Sequence, residues 1–256
     1  MSLSKQIQAI KSDKIVTPIH EAYLSKTGDV QLTKQVAEFV LNELQAKQRD
    51  RSATFSASAR GTCPRQQVLA YEGFPGQNNF TSDTNAIFIH GTWTHVKWQA
   101  MGLEAGWLAT TEVSCRIDEY NATGTIDGRL YEGSGWEFKS INSRGYRSVH
   151  ESGPLWKHLL QVHTYMLATG IRVWSLMYED KDTQQWTEFI VPWSDEIGDQ
   201  VHAELQMVNR AVSDRVLPPV LPDCAKGEGT TYKQCPYRSN CPSLSRYPKR
   251  LRISRG

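Results

Sequence analysis

Two carboxylates and an ammonium group fall close together near the middle of this chain. Gly124-Thr125-Ile126-Asp127-Gly128 is followed, ten residues after the aspartate, by Glu137-Phe138-Lys139. The short YEGSG stretch between them has turn composition, so Asp127 is predicted on one strand and Glu137 and Lys139 on the next. Antiparallel pairing brings Asp127 near Glu137. Residues i and i+2 of a strand share a face, which sets Glu137 and Lys139 side by side and turns Trp136 and Phe138 the other way. Paired carboxylates can hold Mg²⁺ or Mn²⁺, which prefer oxygen ligands. Such an ion lowers the pKa of a bound water and neutralises charge developing on a phosphodiester, while the lysine orients that water or stabilises the anionic transition state. The same residues also fit a solvated hairpin with a surface Glu–Lys pair.

Other residue types in the flanks add to this chemistry. His95, in Gly91-Thr92-Trp93-Thr94-His95, is predicted on a helix before the strands, where a neutral imidazole is a further metal ligand or a structural histidine. Gln161 and Tyr165 lie one turn apart on a predicted helix after the second strand, beside its apolar stripe. Five cysteines, Cys63, Cys115, Cys224, Cys235 and Cys241, make an odd count. Three of them crowd among Pro and Gly near the C-terminus, where no packed core is expected, and such a group in a reducing compartment binds metal more often than it forms disulfides. Cys115 falls on a predicted strand and reads as a buried, inert thiol.

The elements that must position these groups follow from periodicity. Val36, Phe39, Val40 and Leu44 recur at helical spacing within a helical segment over 1–50. Ser56 to Gly61 reads as a loop, Arg65 to Tyr71 as a short helix, and Thr84 to Gly106 as a long one. Strands are predicted over Thr111 to Ile117, Ala122 to Tyr131 and Gly135 to Ile141, then a helix over Pro154 to Thr169 with Leu155, Leu159, Val162 and Met166 as its stripe. Two further strands, Arg172 to Tyr178 and Gln185 to Val191, precede a helix over Ser194 to Ser213 with Ser194 as N-cap. The order predicts an α/β fold with helices flanking a mixed sheet, and the chain contains no G-x-x-x-x-G-K-[ST] phosphate loop.

Composition sets the frame. The 256 residues carry 29 Lys and Arg against 27 Asp and Glu, a formal net charge of +2, so any nucleic-acid contact must come from local patches. Eight Trp and 10% aromatic residues speak for a packed chain. With no membrane-length apolar run and no apolar leader, the expectation is a soluble, intracellular, cytoplasmic protein with no membrane partner. If a nucleic-acid backbone is bound, Arg60, Arg144 and Arg147 are the candidates to meet its charge, with Arg65 beside them. Arg246, Lys249, Arg250, Arg252 and Arg255 form a basic tail, and Tyr146 and Trp156 either stack on unpaired bases or pack.

Taken in order, His95, Gly124-x-x-Asp127, Glu137-x-Lys139 and Gln161-x-x-x-Tyr165 resemble the PD-(D/E)xK nuclease superfamily, in its RecB-like exonuclease branch. The resemblance covers roughly residues 55–245. It implies a restriction-endonuclease-like α/β core, with a helical segment over 1–54, the nuclease core over 55–222 and a cysteine-rich tail over 223–256 packed back near Cys63. It implies a metal-dependent DNA exonuclease acting on ends or single strands. His95, Asp127 and Glu137 would hold Mg²⁺ or Mn²⁺, and Asp127, Glu137, Lys139, Gln161 and Tyr165 would be catalytic. Relatives such as the AddB nuclease domain and the small exonucleases of CRISPR adaptation carry a [4Fe–4S] cluster. Here its ligands would be Cys63, Cys224, Cys235 and Cys241, the last two at the family's spacing and Cys224 displaced from it; four thiolates also suit Zn²⁺. DNA, and a recombinase, single-strand annealing or CRISPR-adaptation protein, are the implied partners, with a homo-oligomer also open. A non-catalytic DNA-end-binding scaffold and a site-specific endonuclease remain as alternatives.

Overall fold

A computed structural model describes residues 10–11, 16–26, 33–45, 53–77, 81–244 and 247. Its centre is a seven-stranded mixed sheet of β1 (Ile10–Lys11), β2 (Phe55–Ser56), β3 (Leu108–Ile117), β4 (Ala122–Leu130), β5 (Gly135–Ile141), β6 (Val173–Asp180) and β7 (Trp186–Pro192). The path runs β1-β7-β6-β5-β4-β2, with β3 also on β4. Strand β6 is parallel to β5, so the chain between them crosses over through α5 (Ser143–Ser152) and α6 (Trp156–Thr169). The other helices are α1 (Val16–Lys26), α2 (Lys34–Gln45), α3 (Pro64–Tyr71), α4 (Ser82–Ala105), α7 (Asp195–Ser213), α8 (Pro222–Lys226) and α9 (Gly229–Gln234). This is the α/β architecture expected from the sequence, a mixed sheet between helices.

Each face of the sheet buries its own core because side chains alternate along the strands. On β6, Trp174, Leu176 and Tyr178 pack with Leu160 and Met166 of α6 and with Ile197 and Val201 of α7. Met177 turns the other way and joins Trp98 of α4, Trp136 and Phe138 of β5 and Val16 of α1. The N-terminal segment is therefore built into the sheet layer: β1 pairs with β7, and His20 of α1 stacks on Trp98 at 4.3 Å. Among the described residues, no helix is long and apolar enough to cross a membrane.

Several local expectations shift. Helix α4 starts at Ser82 because the Thr81 side chain accepts from the Thr84 N–H at 3.2 Å, and it continues through Gly91 and Gly102. Ser194 stands at the start of α7, but its side chain makes no capping bond. The segment following β5, to which no element is assigned from the sequence, forms α5, nucleated by Asn142 accepting from the Gly145 N–H at 2.9 Å. Loop 56–61 contributes Ser56 to β2 and a 3-10 turn, Ala57–Ala59. The C-terminal region does build a packed core, small but real: Leu69, Cys235, Tyr237 and Cys241 cluster against Phe74, Leu217 and Leu244.

Candidate active site

The site lies where the β4–β5 ladder comes apart. Only Gly128–Trp136 and Arg129–Gly135 are in register; beyond them, towards Asp127 and Glu137, the strands diverge. Asp127 takes over the lost ladder bond, with its Oδ2 accepting the Phe138 N–H at 2.8 Å. Strand β4 also changes phase here. Ile126 packs in the α6-side core, whereas Leu130 packs in the α4-side core. The gap so opened is a cleft of about 610 Å³ lined by His95, Glu112, Asp127, Glu137, Lys139, Gln161 and Tyr165, among others. All six residues singled out from the motifs meet in it.

Helix α4 brings His95 in from one side. Lys97 and Trp98 anchor the helix on the buried Glu179 carboxylate of β6, Lys97 Nζ at 2.8 Å. Gln99 Nε2 donates to the Asp127 carbonyl at 2.9 Å, and His95 Nε2 lies 2.9 Å from Asp127 Oδ2. Burial works against a charged imidazole, but the neighbouring Asp127 carboxylate outweighs it and lifts the His95 pKa to about 9. Burial likewise opposes ionisation of Asp127, and His95, Lys139 and the Phe138 N–H together hold its pKa below the usual carboxylate value.

Helix α6 supplies the other wall. Its residues 158–166 are buried all round, so Gln161 and Tyr165 sit within the core layer and not at its flank, as the stripe suggested. Gln161 Nε2 donates to Glu137 Oε1 at 2.8 Å and to the Tyr165 hydroxyl at 2.8 Å. Lys139 Nζ donates to the same Glu137 Oε1. The second oxygen, Glu137 Oε2, is buried without a hydrogen-bond partner. Burial, then the Asp127 charge, raise the Glu137 pKa well above the carboxylate range. Lys139 is held charged: burial disfavours its ammonium, but Glu137 and Asp127 more than compensate and raise its pKa. Gly124 of the G-x-x-D pattern is explained by contact, since a Cβ there would stand 2.5 Å from Tyr165 Cε1.

One acidic residue escaped the sequence reading. Glu112 of β3 lies between the registered pairs Thr111–Gly128 and Val113–Ile126, directly across from Asp127. Its backbone has φ +50, and Gln99 Nε2 donates to its carboxylate at 2.8 Å. His95, Glu112 and Asp127 each place a ligand atom within 4.8 Å of the others. No motif flags Glu112, and its place opposite Asp127 is set by the β3–β4 register, which residue types do not record. Cys115, on the same strand, is half-buried and lines the cleft; burial first, and Glu137 second, push its thiol to about 11.

The four remaining cysteines converge elsewhere. Cys63 precedes α3, Cys224 lies in α8, Cys235 ends α9 and Cys241 opens the last 3-10 turn, and all four line one small cavity. All five thiols are free. Arg65 ties this region together by donating to the carbonyls of Pro218 at 3.0 Å, Cys241 at 3.2 Å and Leu244.

The expectations that put Arg60 and Arg65 on a DNA surface are corrected. Arg60 is 1% exposed, donates to Gln67 and faces Glu204 at 3.6 Å, so it is a buried structural cation, as is Arg65. Tyr146 is buried on α5 and packs in the main core, with partly buried Trp156 against it. Arg144 and Arg147 are exposed on α5. Arg246, Lys249, Arg250, Arg252 and Arg255 lie outside the described residues.

No family model and no curated protein matches the chain. Among solved structures, it is similar to LHK-Exo in complex with dAMP, with TM-score 0.52 and 16% identity over 64% of this chain and 90% of that one. The alkaline exonuclease LHK-Exo from Laribacter hongkongensis gives TM-score 0.47 and 16% identity over 64% and 92%. SSO0001 gives 0.47 and 16% over 81% and 94%. The first of these likenesses establishes a shared fold: a mixed sheet flanked by helices, of the restriction-endonuclease-like kind.

Proposed function

We propose that the protein is a metal-dependent deoxyribonuclease, an exonuclease hydrolysing phosphodiester bonds at DNA ends or on single strands. The observation that carries this reading is the β4–β5 divergence, which gathers His95, Asp127, Glu137 and Lys139 in one cleft. The donor set fits a divalent cation: the Asp127 carboxylate and a buried Glu137 oxygen without a partner line one cleft and are the hard oxygen ligands that Mg²⁺ or Mn²⁺ prefer, with the His95 imidazole against Asp127. When bound, such an ion supplies Lewis acidity to the scissile phosphate and a more acidic water. Asp127 and Glu137 would hold it, with His95 beside them. Lys139, kept as an ammonium, orients the attacking water and balances negative charge on the phosphorane; it is not the base. Water loses a proton to solvent as its oxygen bonds to phosphorus, the bond to the sugar oxygen breaks, and that oxygen takes up a proton from solvent, so that one phosphate monoester and one hydroxyl end result.

The solved relative bound to dAMP is in keeping with a nucleotide-sized product leaving such a cleft. A scaffold without catalysis would tolerate loss of Asp127, Glu137 or Lys139, and all three are present and line one cleft, which favours the enzyme over that alternative.

The four convergent cysteines fit a [4Fe–4S] cluster. Four thiolates are the usual ligand set of such a cluster, and they also suit tetrahedral Zn²⁺. Bound there, it would cross-link the tail to the start of α3.

End-labelled single- and double-stranded DNA, incubated with Mg²⁺, Mn²⁺ or EDTA, tests the activity. Stepwise shortening that needs the cation supports the reading; labelled DNA left intact under every condition, with the protein folded, overturns it.

A further inference from the structure

Glu112 does not belong to the motif set, yet its position is as specific as that of Asp127. Three separate elements converge on one point. Helix α4 delivers His95, β4 delivers Asp127 and β3 delivers Glu112, with their ligand atoms mutually within 4.8 Å. Gln99 Nε2 bridges the two strands by donating to the Glu112 carboxylate at 2.8 Å and to the Asp127 carbonyl at 2.9 Å, which fixes the height of Glu112 against Asp127. Independently, Glu137, 1% exposed, keeps its Oε2 unpartnered in the same cleft, as a group awaiting a cation does.

We propose that Glu112 is a protein ligand of the divalent cation, supplying an oxygen from β3 to the cleft that Asp127 and Glu137 line. This rests on the reading of the cleft as a metal site and adds a ligand to it. A third carboxylate has a chemical consequence. It raises the negative charge offered to the ion and fills coordination positions otherwise taken by water, which strengthens binding of a hard cation before DNA arrives. Glu112 would then act chiefly on cation affinity, while Lys139 and Gln161 act on later steps.

The test is a titration of Mn²⁺ alone into the purified full chain, with free Mn²⁺ read by electron paramagnetic resonance. Wild type, Glu112→Ala, Glu112→Gln and Asp127→Asn are compared, with circular dichroism as the folding control. Loss of an outer-shell partner of a metal site already costs about 10–100-fold. Glu112→Ala should therefore weaken Mn²⁺ binding by about tenfold or more, and Glu112→Gln, which keeps an oxygen but not the charge, by less. If Asp127→Asn loses affinity while both Glu112 variants bind like wild type, the Glu112 assignment falls and the metal cleft stands. If wild type takes up no Mn²⁺, both fall. Should Glu112→Ala fail to fold, Glu112→Gln decides alone: wild-type affinity overturns the proposal.

Discussion

Asp127 completes the backbone of the neighbouring strand: its Oδ2 accepts the Phe138 N–H at 2.8 Å at the point where β4 and β5 separate. The carboxylate is thus a structural acceptor as well as a ligand. Asp127→Ala leaves a buried N–H unpaired, which costs about 1–3 kcal/mol. Asp127→Asn retains an acceptor oxygen. Both variants should abolish cleavage, but thermal unfolding should show a marked loss for the alanine and a small one for the asparagine. Equal destabilisation by the two would show that the Phe138 bond does not matter.

Gln161 grips Glu137 and Tyr165 together, at 2.8 Å each. The resemblance made Gln161 catalytic; the geometry makes it a positioning residue for the Glu137 carboxylate. Gln161→Ala should lower kcat by about 10–100-fold with KM for DNA little changed. A raised KM at unchanged kcat would assign it to substrate binding instead.

The cysteine set divides cleanly by location. Anaerobically purified protein should be brown, and Cys63→Ser or Cys235→Ser should lose the colour and lower the Tm, because ligation is coupled to folding. Cys115→Ser, which alters the cleft and not the four-thiol cavity, should keep the colour. Stoichiometric zinc in a colourless anaerobic preparation would replace the cluster with a zinc site and leave the nuclease cleft untouched.

His20 ties stability to acid pH. Desolvation by burial, then the Lys97 charge, lower its pKa from 6.5 to about 4, and its Nδ1 faces the Trp107 indole N–H at 3.4 Å, an arrangement that needs a neutral acceptor. The native state therefore binds fewer protons than the unfolded chain between those values. The stability His20 contributes is full above pH 6.5 and is lost as pH falls through about 4. Urea unfolding followed from pH 7 to pH 4 should fall less steeply in His20→Asn than in wild type. Parallel profiles would remove His20 from the acid response.

Much of the site was legible because its residues sit at short, fixed spacings on regular elements. Glu137 and Lys139 share a face by strand geometry, and Gly124 and Asp127 are linked by one strand. Glu112 was not legible, because its meeting with Asp127 depends on the β3–β4 register and a positive φ, neither of which residue types record. Arg60 was misread for a different reason. An arginine in a loop looks solvated until the carboxylate that buries it, Glu204 on α7, is seen. Helix α5 was missed because its cap, Asn142, closes on a glycine and an arginine-rich turn that has loop composition.

The bonds from Arg65 to the tail carbonyls have a consequence for how the chain is made. Arg65 and Cys241 lie 176 residues apart. At ribosomal rates of about 5–20 residues per second, roughly ten to thirty seconds separate their emergence. During that interval Cys63 is exposed without its partners, and by its end every strand of the sheet is out. The thiol cavity is thus assembled last, on a finished core, so a chain broken off before Cys235 would carry the whole cleft but lack the seal between its beginning and its end.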